Sequence, residues 1–255
     1  MIEDVYVITY CRSMDLFYGS SLFAETVRVG FPSAHIRVIE NGSIPEASSL
    51  LKDLAKTVDA EFVAVAEHPH WELVQNIFMN AQRPFAIIDP DVIFWEKMDD
   101  DNGLISGRLI PTFLDPFSEC ITKERLHTSL LKVSDPEGLK STIHNIAQNK
   151  FEWRPFMPIM LEINGQWIRY DTAAALYASI KTLAKPFGIK ELDAYDHLFC
   201  GSHLDQVLPR LGAFGEGFLG IHREAANGNI KKLRGIWRIQ EEFFESHRLR
   251  ESDCP

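Results

Sequence analysis

The chain is poor in cysteine, in basic residues and in long apolar runs, and each shortage excludes a class of protein. Its four cysteines, Cys11, Cys120, Cys200 and Cys254, stand far apart with no Cys-x-x-Cys pair. That spacing argues against a disulfide framework or a cysteine-rich zinc site and fits a reducing compartment. Lys and Arg number 26 against 36 Asp and Glu, a formal net charge of −10. So acidic a globule is a poor general binder of nucleic acid, because phosphate neutralisation needs a basic face. An anionic ligand would have to be held locally, by a metal ion, an Arg or backbone N–H groups. No apolar run approaches the roughly 20 residues that span a bilayer, so no transmembrane segment is expected. Met1-Ile2-Glu3-Asp4 is acidic where a signal peptide would be basic. A cytoplasmic location is the expectation that follows.

What is present is the composition of an ordinary globule, 255 residues with 45% hydrophobic and 24% charged. The first hundred residues alternate strand and helix. Val5–Tyr10, Ile36–Ile39, Phe62–Ala66 and Phe85–Ile88 are β-branched or apolar runs suited to buried strands. Between them lie helical stripes: Leu16, Phe23 and Val27 after a Ser13 cap, then Leu50, Leu54 and Val58, then Trp71, Val74 and Phe78. This alternation predicts an α/β fold, a mostly parallel sheet flanked by helices.

The second half is less regular. Leu104–Phe113 and Glu119–Thr122 read as extended. Asp135-Pro136-Glu137 has the cap, N1 proline and first-turn acid of a helix start. Asp171 heads another helix through Tyr177 and Leu183, a short one covers Leu204–Leu211, and the last begins near Asn229 with Ile230, Leu233 and Trp237 on one face. Lys231, Lys232, Arg234 and Arg238 beside Trp237 suggest a membrane surface, but Glu241, Glu242 and Glu245 follow at once and favour a core-packed helix. The acidic stretch Asp99–Gly103 is the candidate seam between halves 1–101 and 102–255, within one continuous globular domain.

Two motifs carry chemistry. In Ile87-Ile88-Asp89-Pro90-Asp91-Val92, two carboxylates flank one residue directly after a buried strand. The carboxyl ends of parallel strands are where ligands bind in open α/β sheets. Hard oxygen donors so placed can hold Mg²⁺ or Mn²⁺, which neutralises a diphosphate. The competing reading is a simple Asp-Pro turn. In Arg37–Ser43, Glu40 ends the second strand and can accept hydrogen bonds from a ribose or base; the alternative is an Asn41-Gly42 turn with a solvated Glu. Arg108 and Arg125 offer planar donor forks for phosphate or sugar hydroxyls, with surface solvation as the alternative. His68, His70, His127, His144 and His197 show no metal-ligand spacing.

Thr9-Tyr10-Cys11-Arg12 at the end of strand one, Glu40-Asn41-Gly42-Ser43 after strand two and Asp89-Pro90-Asp91 after strand four recur in the order seen in a known family. Together they resemble the nucleotide-sugar-dependent glycosyltransferases of the GT-A fold, especially the family 2 group. The stretch Ser202–Gly212 echoes that family's acidic helix start, and Ile221-His222 sits where a histidine metal ligand is often found. The resemblance implies a GT-A-like, Rossmann-type sheet and a metal-dependent glycosyltransferase with the Asp-x-Asp motif. It implies a nucleoside diphosphate sugar donor (a UDP-sugar first) and an acceptor that is a glycan, small molecule or protein, with no nucleic acid among the partners. Thr9, Tyr10, Arg12, Glu40 and Asp89 would bind the nucleotide, and Asp89, Asp91 and His222 would hold Mn²⁺ or Mg²⁺. The family's adjacent Glu-Asp is replaced here by His203-Leu204 with Asp205 one residue displaced, so the catalytic base is Asp205, His203, Asp196 or Asp193. A retaining enzyme would need no base on the acceptor. Two alternatives remain: a nucleotidyltransferase, against which the glycine-free Cys11–Met14 stretch counts, and a non-catalytic nucleotide-sugar-binding protein.

Overall fold

Four short apolar segments of the first hundred residues pair in parallel, each returned by a helix. A computed structural model of the chain describes residues 1–12, 14, 17, 23–94, 97–98, 104–110, 112–114, 120–147, 154–181 and 195–197. In order these form β1 (Asp4–Thr9), α1 (Phe23–Gly30), β2 (His35–Asn41), α2 (Pro45–Thr57), β3 (Ala60–Val65), α3 (His70–Asn80), β4 (Phe85–Ile88) and β5 (Val92–Phe94). Next come β6 (Ile105–Ile110), β7 (Phe113–Leu114), β8 (Ile121–Thr122), β9 (Arg125–Val133) and α4 (Pro136–Ala147). The remainder is β10 (Ile159–Ile163), β11 (Gln166–Tyr170), α5 (Ala174–Lys181) and β12 (Tyr195–His197). The predicted helices at 204–211 and from 229 lie outside the described residues, as does the seam at 99–103.

The main sheet has the order β3-β2-β1-β4-β9-β6. β1 pairs in parallel with both β2 and β4, and β2 with β3. β9 runs antiparallel to β4 and to β6, so two strands from the second half complete the first half's sheet. The fold is therefore α/β with a mixed, mostly parallel sheet. Strand alternation divides the core into two layers. Val5, Val7, Ile36, Val38, Ala86 and Ile88 pack against Phe23 and Val27 of α1 and Leu51 and Leu54 of α2. Ile8, Ile39, Phe85 and Ile87 face the other way, onto Val74 and Phe78 of α3, Leu139 and Ile143 of α4 and Leu176 and Ile180 of α5.

The helix starts follow local chemistry. α2 begins at Pro45, whose missing N–H costs nothing at a first helical position. Asp135 Oδ1 accepts the Gly138 N–H at 2.9 Å and so caps α4. Asp171 accepts at its carboxylate from the Thr172 N–H and at its carbonyl from the Ala174 N–H, each at 2.8 Å, opening α5 as the sequence predicts. The strand β9 and the β10–β11 hairpin have no counterpart in the sequence reading. A second sheet, β10-β11-β8-β7, stands beside the first, and β12 pairs antiparallel with β5.

Gly30 ends α1 against Phe94, which is fully buried and meets Phe31 edge-on at 5.2 Å between ring centroids. A Cβ on Gly30 would lie 2.6 Å from Phe94 Cγ. Overpacking of this kind costs about 1–3 kcal/mol, against the 0.5–1 kcal/mol or so that alanine returns in a helix. Gly30→Ala is expected to lower the thermal midpoint by several degrees, read by circular dichroism; an unchanged or raised midpoint would mean that Phe94 gives way freely.

Candidate functional site

The strand order reverses at β1: the chain builds outward through β2 and β3, then returns to β1's other side with β4. At such a switch point the loops leaving neighbouring strands diverge and open a crevice at the carboxyl edge. Here the two loops are Tyr10-Cys11-Arg12 after β1 and Asp89-Pro90-Asp91 after β4. The structure thus brings the first and third sequence motifs to one edge. The second motif, Glu40–Ser43, ends the next strand along, with Thr9 in register beside Glu40.

The Asp89–Asp91 turn is held from three sides. The Asp89 N–H donates to the Ser129 carbonyl at 2.9 Å, and the Val92 N–H closes the turn on the Asp89 carbonyl at 3.4 Å. The first N–H of α1, on Phe23, donates to the Pro90 carbonyl at 2.9 Å. Asp89 and Asp91 are both partly exposed. As a donor set, two carboxylates on a fixed strand-end turn fit a hard divalent cation, which completes its shell with water and phosphate oxygens. Among the described residues no group of three His, Cys, Asp or Glu is assembled for a metal. His222, the third ligand that the resemblance implies, lies outside the described residues, as do Asp205, His203 and Asp193. Asp196 is placed by backbone only: β12 pairs with β5 in the register Asp196↔Ile93 and His197↔Val92, directly after Asp91.

Thr9 and Glu40 are committed to the scaffold. Thr9 is fully buried and its hydroxyl donates to the Ile39 carbonyl at 3.1 Å. Glu40, also buried, accepts the Ser43 N–H on one carboxylate oxygen and the Ser48 hydroxyl on the other, the latter at 3.3 Å. Ser43 Oγ accepts the Cys11 N–H and the Cys11 carbonyl accepts the Ile44 N–H, both at 2.9 Å. The Glu40 turn therefore fastens the loop after β1 to the start of α2. A carboxylate has about four acceptor positions, so these bonds leave Glu40 capacity for a ligand donor.

Glu67, at this same edge, was not singled out from the sequence. Asn41 clasps His68 through two hydrogen bonds, Oδ1 accepting its N–H at 2.8 Å and Nδ2 donating to its carbonyl at 2.9 Å. That clasp brings the loop after β3 across Gly42, whose left-handed backbone (φ 82°) and missing Cβ let Glu67 pass closely. Glu67 accepts from the Tyr10 hydroxyl at 2.9 Å and from the Arg12 guanidinium, which also stacks over the Tyr10 ring at 4.8 Å. Glu67 lies just beyond a strand end, as Asp89 does; extending that positional rule to the third strand would have found it. His70 and His127 also reach this edge: His70 Nε2 lies 3.3 Å from the Thr128 hydroxyl, and His127 Nδ1 accepts the Ser129 N–H at 3.1 Å. Arg125 is instead drawn away into an ion pair with Asp171 at 3.0 Å.

No protein-family model matches the chain, and no curated protein matches it in sequence. Solved structures similar to it include the glycosyltransferase GlyE of Streptococcus pneumoniae, at 8% identity and TM-score 0.38 over 76% of this chain and 45% of that one. The galactosyltransferase LgtC, solved with donor and acceptor sugar analogues, is 9% identical at TM-score 0.41, covering 88% of this chain and 95% of LgtC. A nucleoside-diphosphate-sugar pyrophosphorylase of Vibrio cholerae is 10% identical at TM-score 0.41, over 76% and 94% of the two chains. The chain spans less than half the length of GlyE. The likeness is distant in each case, and the functional argument below rests on this chain's own residues. No helix among the described residues is long and apolar enough to cross a membrane.

The Tyr10 hydroxyl above all, with the Arg12 guanidinium adding to it against some desolvation, holds the Glu67 carboxyl below the ordinary range. A depressed carboxyl favours the folded arrangement fully above its unfolded value and loses that contribution as pH falls through the folded one. This second clasp, of Tyr10 and Arg12 on Glu67, should therefore be closed at neutral pH and open only in acid. Tyr10→Phe is expected to move the Glu67 titration up toward the ordinary value, and Arg12→Gln to move it less, as followed by carboxyl-carbon NMR. Identical titrations in all three proteins would show that the clasp does not form in solution.

Proposed function

We propose that the chain is a glycosyltransferase that takes its sugar from a nucleoside diphosphate sugar. The observation that carries this reading is the meeting of Asp89-Pro90-Asp91 with Thr9–Arg12 at the carboxyl ends of β4 and β1, where the strand order reverses. The backbone around Thr9 and Tyr10, with Arg12 and Glu40, binds the nucleoside and its phosphates, and a uridine nucleotide is the first donor to try. Asp89 and Asp91 hold a divalent cation, Mn²⁺ or Mg²⁺, with His222 as the third ligand. Bound there, such an ion supplies Lewis-acid neutralisation of the departing diphosphate. The acceptor, a glycan, small molecule or protein, is bound by the second half, 102–255.

In the reaction the acceptor hydroxyl oxygen bonds to the anomeric carbon while the bond from that carbon to the diphosphate oxygen breaks. In an inverting enzyme the hydroxyl proton passes to a base within about 2.6–3.2 Å, or through one water. Asp205, His203 and Asp196 are the candidates. The register of β12 beside β5 supports Asp196, since it brings that residue's backbone next to the segment leaving Asp91. Arg12 would exchange its Glu67 partner for phosphate oxygens when the donor arrives, a bidentate role that suits a guanidinium.

Calorimetry of nucleoside diphosphates with Mn²⁺ and with EDTA tests the site. Metal-dependent binding is expected, and Asp91→Ala should abolish it while the melting profile stays that of the parent. Equal affinity in Mn²⁺ and EDTA would sink the metal role. Glu40→Gln, which keeps an oxygen for the Ser43 N–H, should weaken nucleotide binding about tenfold with the melting profile kept, because a charged acceptor is replaced by a neutral one at a cost of roughly 1–1.5 kcal/mol. Donor turnover with an acceptor panel separates an enzyme from a binding protein: Asp196→Asn or Asp205→Asn is expected to lower turnover by about 10²–10⁴ with donor affinity kept. Tight donor binding without transfer or hydrolysis would favour the non-catalytic reading.

A further inference from the structure

Arg12 is held at the carboxyl edge as a flat, donor-bearing ring would be held. Its guanidinium carbon lies over the Tyr10 ring, 4.8 Å from the centroid, and its N–H groups donate to the Tyr10 hydroxyl and to Glu67 Oε1. The Tyr10 hydroxyl donates to that same oxygen at 2.9 Å, and no donor among the described residues meets Oε2. Tyr10 and Glu67 are both exposed, the Glu67 side chain at 53%. The carboxyl, held low chiefly by the Tyr10 hydroxyl, is ionised at neutral pH. An aromatic face and a carboxylate thus converge on one planar cation.

The scaffold beneath brings Glu67 to this place. Asn41, itself buried, holds both backbone groups of His68, and a Cβ on Gly42 would lie 2.9 Å from Glu67 Cβ. The sheet order β3-β2-β1-β4 sets Glu67 and the Asp89–Asp91 turn on opposite sides of the loop after β1. Neighbouring strands stand about 4.8 Å apart, so a diphosphate at Asp89 and Asp91 directs its nucleoside across Tyr10 toward Glu67.

We propose that Tyr10 and Glu67 form a base subsite that selects guanine, so that the donor is a guanosine diphosphate sugar rather than the uridine form that the sequence resemblance puts first. The inference rests on the reading of Asp89, Asp91 and Arg12 as the phosphate end of a nucleotide-sugar site. When phosphate oxygens draw Arg12 away, the Tyr10 ring face and both Glu67 oxygens are open to the base. Guanine contains a guanidine unit of its own. Its N1–H and its N2 amino group are adjacent donors that reach both oxygens of one carboxylate, as an arginine does. Uracil offers a single N3–H between two carbonyl oxygens, which the carboxylate repels. Adenine and cytosine each offer one amino group beside an unprotonated ring nitrogen. Stacking on Tyr10 serves every base, so the carboxylate alone discriminates. Because Glu67 is half-exposed, the expected preference over uridine is about tenfold, the low end for a charge-assisted hydrogen bond.

Calorimetric titration of the full chain in Mn²⁺ with guanosine, inosine and uridine diphosphates tests this. The guanosine form is expected to bind about tenfold tighter than the uridine form. Inosine diphosphate, which lacks the N2 amino group, should fall between them. Glu67→Gln keeps an acceptor for the Tyr10 hydroxyl but removes the charge and the second acceptor oxygen. It should bring the ratio of guanosine to uridine diphosphate affinity close to one, whatever the release of Arg12 does to both. A thermal melt confirms that the variant is folded, which its exposed position favours. Uridine or inosine diphosphate bound as tightly as the guanosine form, or a ratio unchanged in Glu67→Gln, overturns the guanine subsite and leaves the nucleotide-sugar reading standing. Failure of all three diphosphates to bind overturns both.

Discussion

Everything at the candidate site depends on β1 having parallel neighbours on both sides. Its register, Thr9 beside Glu40 and Val7 beside Ile88, sets the level at which the three motif-bearing loops leave the sheet. Because side chains alternate along a strand, a slip of one residue would turn the buried faces outward, and two separate cores forbid it. Val5 and Val7 bury against one helical layer while Ile8 buries against the other. The hydrophobic effect thereby fixes the position of polar loops that contribute nothing to the core themselves.

The loops are then tied to one another by hydrogen bonds of short polar side chains. Ser43 joins the loop after β1 to the turn after β2, and Asn41 joins that turn to the loop after β3. Ser129 and Phe23 hold the turn after β4. Such bonds are each worth about 1 kcal/mol net, so the edge is shaped rather than stabilised by them. Fixed loops suit a ligand-binding edge, because donors and acceptors placed before the ligand arrives need not be ordered by it. Arg12 is the exception, exposed and held by an equally exposed Glu67, and an ion pair in that setting is weak enough to exchange.

The motif-bearing loops of this chain leave the carboxyl edge of a mixed α/β sheet. Folds of this kind host several chemistries, and the site decides among them. Here the deciding features are the paired carboxylates after β4 and their place at the switch point.

The sequence by itself determined the elements whose signals are local. The runs at 5–10, 36–39, 62–66 and 85–88, the stripes at 50–58 and 71–81, and the caps at Asp135 and Asp171 are written in adjacent residues, and so is the Asp89-Pro90-Asp91 motif. Tertiary structure decided what depends on distant partners. β9 escaped because its apolar residues do not alternate cleanly: His127 and the buried Lys132 interrupt it, and a register shift where it passes Gly107 and Arg108 on β6 breaks its period. The β10–β11 hairpin carried a readable Asn-Gly signal, but its edge position could not be known before the order of the second sheet. Glu40 reads as a ligand-binding acid in sequence, while the folded chain also makes it the fastening of a turn. Glu67 becomes part of the edge only because Asn41 pulls its loop across Gly42. A period can be read along a chain, but a pairing between residues tens of positions apart exists only once burial has brought them together.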